Sequence, residues 1–234
     1  MQGNSITGAG TTDAHGGGFD RSAAITRSLL GYGVLVGPLY LVVGIGQALL
    51  RDGFDLSRHS LSVLANGPGG WVQVANFAVC GLMVIAAAQG IARVLAPTGR
   101  GTRWALTLYG VCLCCAAVFR ADPVDGFPPG TPVGMPTSVS TMGMLHFVFG
   151  ALGFTAFGVS ALLAVRALGR RGDGAMARAS LIAGGIILVG FYSMAIPGLP
   201  VGILGIWVSV VVGWAWLLAL SLHLYRTSPD PRCA

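Results

Sequence analysis

Four residues of this chain have side chains suited to chemistry at a membrane face: His59, Ser60, Asp122 and His146. Two imidazoles and a carboxylate (His59, His146 and Asp122) form a donor set that can hold a zinc-like ion. A fourth position would remain for an activated water. Ser60 with His59 or with His146 is instead the pairing of a nucleophile with its base. The sequence has no HExxH and no GxSxG, so neither arrangement carries a specific local signature. A structural reading stands beside these two: Asp122 pairs with Arg120 at a span end, and His146 makes one hydrogen bond inside a helix bundle. The catalytic candidates are Asp122, His146 and Ser60; the weak metal candidates are His59, Asp122 and His146. The residues imply no particular cofactor.

The elements that must position these groups are apolar. The chain is 54% hydrophobic and 9% charged, with a mean hydropathy of +0.75. Soluble domains carry about 25% charged residues, so this chain has too little polar surface for water and is an integral membrane protein. Its 234 residues suffice for one helical bundle. There is no Lys and no Glu, which matches the codon bias of a GC-rich genome. The net charge of +6 resides in Arg flanking the apolar runs, so the balance needs no nucleic-acid partner. The lipid bilayer is the partner that composition implies; the oligomeric state is not encoded in it.

Six apolar runs lie near the ~20 residues a bilayer span requires, at about 29–50, 71–95, 104–120, 141–166, 179–197 and 201–225. The expected fold is all-α: a six-helix transmembrane bundle over 29–225, between a disordered tail at 1–28 and a short tail at 226–234. No cleaved signal peptide is expected at the start. Of 14 Arg, 11 flank the face that carries both termini. The positive-inside rule then puts the termini in the cytoplasm, with the cell membrane of a bacterium as the location. The stretch RADPVDGFPPGTPVGMPTSVSTMGMLH, residues 120–146, falls on the opposite, outer face. It concentrates an Arg, two Asp, five Pro and four Gly between two apolar runs.

Polar residues within the runs gather toward that outer face. Gln73 and Asn76 open the second span on one helical face together with Cys80. Ser140, Gly143, His146 and Gly150 share a face of the fourth. Gln47, Gln73, Asn76, Arg120, His146, Tyr192 and Ser193, with Asp55, His59, Ser60 and Asp122 from the loops, define a candidate outward-facing pocket, since polar groups at membrane depth usually face the bundle interior or a water-filled cavity. The candidate ligand-binding residues are Asp55, His59, Gln73, Asn76, Arg120, Asp122 and His146, and the candidate ligand is a small molecule or lipid. An intramembrane hydrolase using Asp122 and His146 is one alternative function, and an accessory or scaffold protein is another.

Other features have plainer expectations. Residues 51–67 predict a short amphipathic helix at the interface, capped by Asp55 or Ser57. Gly33 and Gly37 form a GxxxG pair suited to helix packing or dimerisation. Pro38 is expected to kink the first helix. Cys80, Cys112, Cys114 and Cys115 lie in spans and Cys233 at the C-terminus, so no structural disulfide is expected; Cys112-Leu-Cys-Cys115 reads as packing, with a metal or redox role as the alternative. Trp207, Trp214 and Trp216 read as lipid-facing or packing aromatics. The first four spans are expected to enclose the site and the last two to buttress it.

The segments RDGFDLSRHSLSVLANGPGGWVQVANFAVCGLMVIAAAQGIARVL, FRADPVDGFPPGTP and SVSTMGMLHF occur in that order. They resemble the bacterial and archaeal membrane family catalogued as domain-of-unknown-function family 998. That family carries a GF-D-x-x-R-H-x-x-S element, a G-W-x-Q-x-x-N-F span opening, a D-P-x-x-G-F-P loop and a His entering the fourth span. The resemblance covers about residues 29–225 and implies a multi-pass topology, with no activity attached. A shorter internal echo links Arg51-Asp-Gly-Phe-Asp55 to Arg120-Ala-Asp-Pro-Val-Asp-Gly-Phe127, each following a span exit at one face.

Overall fold

The computed structural model describes residues 19–134, 136, 138–196 and 202–231. His15, Cys233, most of the expected N-terminal tail and the tight turn expected between the last two spans lie outside those residues. Six helices are present: α1 Arg21–Leu50, α2 Trp71–Val94, α3 Arg100–Val118, α4 Thr141–Arg170, α5 Gly174–Tyr192 and α6 Gly202–Thr227. All six are long and apolar enough to cross a membrane. Two 3-10 turns, Leu61–Ala65 and Ser193–Ala195, complete the regular structure, with no strand among the described residues. The protein is an all-α, multi-pass membrane protein.

The helices form a ring in chain order. Each packs on the next, and α6 closes the ring against α1. The short α2–α3 and α4–α5 connections favour this, because consecutive antiparallel helices then become neighbours. The ring's outer surface is apolar: Val42, Leu49, Leu82 and Val189 are all more than half exposed, as lipid-facing side chains are. Its inner surface is apolar too, so burial in the bundle is set by shape rather than by hydrophobicity.

Small residues set that shape. Gly81 of α2 and Gly110 of α3 meet face to face. A Cβ on either would come within 2.6–2.7 Å of the other's carbonyl oxygen. Gly33 and Gly37 of the GxxxG pair are used within the molecule, against Ser221 and Trp214 of α6. Helix α1 runs unbroken through Pro38.

Several helix boundaries differ from the apolar runs, and at the start of α1 a side-chain cap accounts for the difference. Helix α1 begins at Arg21, eight residues before the expected span and inside the expected tail. The Asp20 carboxylate accepts the Ser22 and Ala23 amides at 2.8 and 3.1 Å, satisfying donors the helix leaves free. Arg27 then pairs with Asp230 at 3.0 Å and lies over the Tyr225 ring, holding this extra length against the end of α6. Helix α5 starts at Gly174, five residues early, and ends at Tyr192, where the Ser193 hydroxyl donates to the Gly190 carbonyl.

The interfacial helix expected after α1 is replaced by a buried turn. Leu61, Val63, Leu64 and Ala65 are all at most 4% exposed. With four apolar positions in five, the segment has no polar face to present to headgroups, and it inserts between α1 and α2 instead. Asp55 caps the preceding turn through the Ser57 amide and hydroxyl, which hold its carboxyl below the usual range.

Candidate functional site

The α1–α2 and α3–α4 loops form one tied structure over one end of the ring. Phe127 is fully buried, edge-on to Phe54 at 5.3 Å, with the Arg51 guanidinium over its other side. The two Gly-Phe elements of the internal echo therefore meet in space. Arg51 also donates to the Leu64 and Asn66 carbonyls, and the Asn66 amide donates to the Ala121 carbonyl across the two loops. Arg58 grips Asp125 through Nε and a terminal nitrogen. That pairing, with the Gly134 amide, pulls the Asp125 carboxyl from 3.8 to about 2.

A folded-state pKa below the unfolded one stabilises the fold above the unfolded value and loses that effect as pH falls through the folded one. The loop clamp is thus expected to loosen between about pH 4 and about pH 2. Asp125→Asn should flatten the pH dependence of thermal unfolding in that window and leave it unchanged above pH 5. An equal acid response in both proteins would remove Asp125 as the cause.

Under the loops lies a cavity of about 370 Å³. Its mouth carries Arg58, Ser60, Ser62 and Asp122, its wall His146, and its floor Tyr40, Tyr109 and Trp214. Along α4 the lining runs from His146 to Gly153 and Phe154. At ~1.5 Å per residue, Gly153 lies about 18 Å from the first residue of α4, near the middle of a ~30 Å hydrocarbon layer. The floor is an aromatic cluster: Trp214 sits 5.0 Å from Tyr40, 5.8 Å from Tyr109 and 5.7 Å from Phe157. Tyr109 stacks on Phe157 at 4.1 Å.

Asp122 and His146 both line this cavity. The Asp122 carboxylate accepts the Ser140 amide at 2.9 Å and the Ser140 hydroxyl, and the same hydroxyl accepts the Gly143 amide. Asp122 thus seats against the first turn of α4, where negative charge is favoured. A Cβ at Gly143 would overlap the carboxylate, so the glycine makes this seat possible. His146, one turn further along the same face, is 8% exposed. Its Nδ1 donates to the Phe119 carbonyl at 2.9 Å, the carbonyl having only lone pairs to offer. That tautomer leaves Nε2 as an acceptor, and Nε2 has no partner among the described residues. No hydrogen bond joins Asp122 to His146; their common element is the cavity.

The remaining candidates have other duties. His59 is buried, and both ring nitrogens are taken by backbone: Nδ1 accepts the Asp55 amide at 2.9 Å, and Nε2 donates to the Asp125 carbonyl at 3.1 Å. Ser60 reaches the mouth, but its hydroxyl bonds Ser62 at 2.9 Å and no histidine. Gln73 and Asn76 lie outside the cavity lining, tying α2 to α1. The Gln73 carbonyl oxygen accepts from Gln47 and Asn76, and the Asn76 amide also donates to the Tyr40 carbonyl. Arg120 is exposed and lines no part of the cavity. Among the described residues, no three His, Cys, Asp or Glu side chains gather closely enough to share a metal ion, so His59, Asp122 and His146 do not converge.

Several residues were missed in the sequence. Arg58 rather than Arg120 supplies the mouth's guanidinium. Tyr40, Tyr109 and Trp214 form the floor, and Phe191 and Met194 of the α5 end and Ile203 and Ile206 of α6 add to the walls. Spans five and six thus help enclose the cavity rather than merely buttress it. The stripe Ser140, Gly143, His146, Gly150 was the usable signal, since each of its members serves the cavity or its rim.

No curated protein and no solved structure matches the chain. Residues 34–223, which run from within α1 into α6 and include both loops and the whole cavity, match the family described as "Protein of unknown function (DUF998)", and the chain belongs to that family.

Proposed function

We propose that this protein binds a membrane amphiphile, a lipid or lipid-like small molecule, with its apolar part in the cavity and its polar end at the mouth. The observation that carries this reading is the cavity itself: an aromatic and aliphatic pocket inside a bilayer protein, with every polar side chain but its tyrosines, Trp214 and Cys112 near one rim. Ligand sites have this composition, a mostly apolar lining with a few placed polar groups. Access from the bilayer is supported by Phe147 and Met194, which line the cavity and are also 54% and 42% exposed on the outer surface of the ring. The hydrolase reading has less behind it, because Ser60 and His59 bond elsewhere.

Gly150 offers the test. It lines the cavity, and a Cβ there meets nothing within 4 Å. Gly150→Phe therefore fills the space without displacing backbone. Native mass spectrometry from mild detergent should find a copurifying amphiphile on the wild type and lose most of it from the variant, with thermal stability maintained. Equal occupancy in both proteins would place the ligand elsewhere, and a bare wild type would end the proposal.

The same reading has the mouth opening outward, supported by the 11 Arg that flank the opposite face. In a Cys233→Ser background, a membrane-impermeant thiol reagent on intact cells should label Asp52→Cys and spare Arg170→Cys. The reverse pattern would put the mouth in the cytoplasm.

A further inference from the structure

We propose that the occupant of the cavity carries a cationic amine, an ammonium held between the Asp122 carboxylate and His146 Nε2. This rests on the reading of the cavity as an amphiphile site and adds the chemistry of the polar end. It follows from which groups at the mouth are already committed.

The cations there are. Arg58 is taken by Asp125, Arg51 donates into two loop carbonyls, and Arg120 does not line the cavity. The acceptors are not. A carboxylate offers about four lone-pair sites. Asp122 accepts two hydrogen bonds, both from the neutral Ser140, and no cation pairs with it among the described residues. His146 is more than nine-tenths buried and lines the cavity, its Nδ1 is committed to Phe119, and its Nε2 has no partner among the described residues.

The placement suits one donor group. Asp122 lies against Gly143, three residues before His146 on one face of α4, and both side chains line the cavity. An ammonium brings three N–H donors and a charge opposite to Asp122. A carboxylate or phosphate end would meet Asp122 with like charge, and an alcohol has a single proton for two acceptors. The amine can belong to a lipid headgroup or to a free long-chain amine.

The experiment uses three probes with one tail, dodecylamine, dodecanol and dodecanoate, titrated into the full-length protein in detergent and read by thermal shift at equal micelle fraction. Dodecylamine should bind about tenfold or more tightly than either other probe, as a charge-assisted bond over a neutral one implies. Asp122→Asn should remove that preference while dodecanol binding persists, and Asp52→Asn, the same charge change on an exposed residue away from the cavity, should keep it. Dodecanol or dodecanoate binding as well as dodecylamine to wild type would overturn the amine assignment, as would a preference surviving in Asp122→Asn. If that variant does not fold, the wild-type ranking decides alone. Binding of none of the probes, or binding indifferent to Gly150→Phe, would instead overturn the cavity reading. A second titration with vesicles of phosphatidylethanolamine against phosphatidylcholine separates headgroup from free amine: a stronger shift with the primary-amine lipid assigns the headgroup, and equal shifts assign the free amine.

Discussion

Replacing Trp214 with alanine is expected to cost about 3–5 kcal/mol of stability, the range for removing a large aromatic from a packed core. Trp214 is 2% exposed and is in ring contact with Tyr40 of α1, Tyr109 of α3 and Phe157 of α4. With its own α6, these contacts join four of the six helices. Its removal also takes out the cavity floor, so any bound amphiphile should be lost or replaced by a longer one. The comparison is Trp71→Ala, a residue 71% exposed at the start of α2, where a change within about 0.5 kcal/mol is expected. Thermal or denaturant unfolding in one detergent measures both. Similar losses would mean that Trp214 does not hold the centre of the bundle.

The second large effect is at the α2–α3 contact. Gly110→Val is expected to destabilise by several kcal/mol, because overpacking alone costs ~1–3 and here the obstacle is backbone. A Cβ at Gly110 would lie 2.7 Å from the Gly81 carbonyl oxygen, and a carbonyl in a helix cannot move aside as a side chain can. Helix propensity pulls the other way, by ~1 kcal/mol for Gly to Ala, so the contest has an internal control. Gly185 is exposed in α5, and a Cβ there meets nothing within 4 Å. Gly185→Ala should be neutral or stabilise by up to ~1 kcal/mol, while Gly110→Ala destabilises. The same substitution thus has opposite signs at two helical glycines. Unfolding midpoints for the two alanine variants that moved together would show that propensity, not interhelical approach, governs these positions.

Composition and apolar run length determined most of the architecture by themselves. A bilayer admits a spanning segment only as a helix or a closed barrel, so six runs of about the right length leave little choice. The stripe Ser140, Gly143, His146, Gly150 was also legible, because a helix repeats its faces every three to four residues whatever surrounds it. So was membership of the family, carried by motifs such as Gly53-Phe-Asp-Leu-Ser-Arg-His-Ser60 and Asp122-Pro-Val-Asp-Gly-Phe-Pro128.

Only the tertiary structure decided which polar residues work together. Gln73 and His146 look alike in sequence, each a polar residue a few positions into a span. One is buried in a helix–helix tie and the other lines a cavity, and that depends on which neighbour each faces around the ring. His59 and Ser60 are adjacent in the chain, yet the turn directs one imidazole into two backbone bonds and the neighbouring hydroxyl to the mouth. Arg58 and Arg120 were equivalent as sequence. Asp125, 67 positions from Arg58, chose between them, and no local pattern encodes a pairing across that distance. The floor was hidden for a further reason. In a membrane protein the lipid-facing and cavity-facing aromatics have the same polarity, so hydropathy cannot tell Trp71 from Trp214; the packing of six helices makes one a surface residue and the other the centre of the fold.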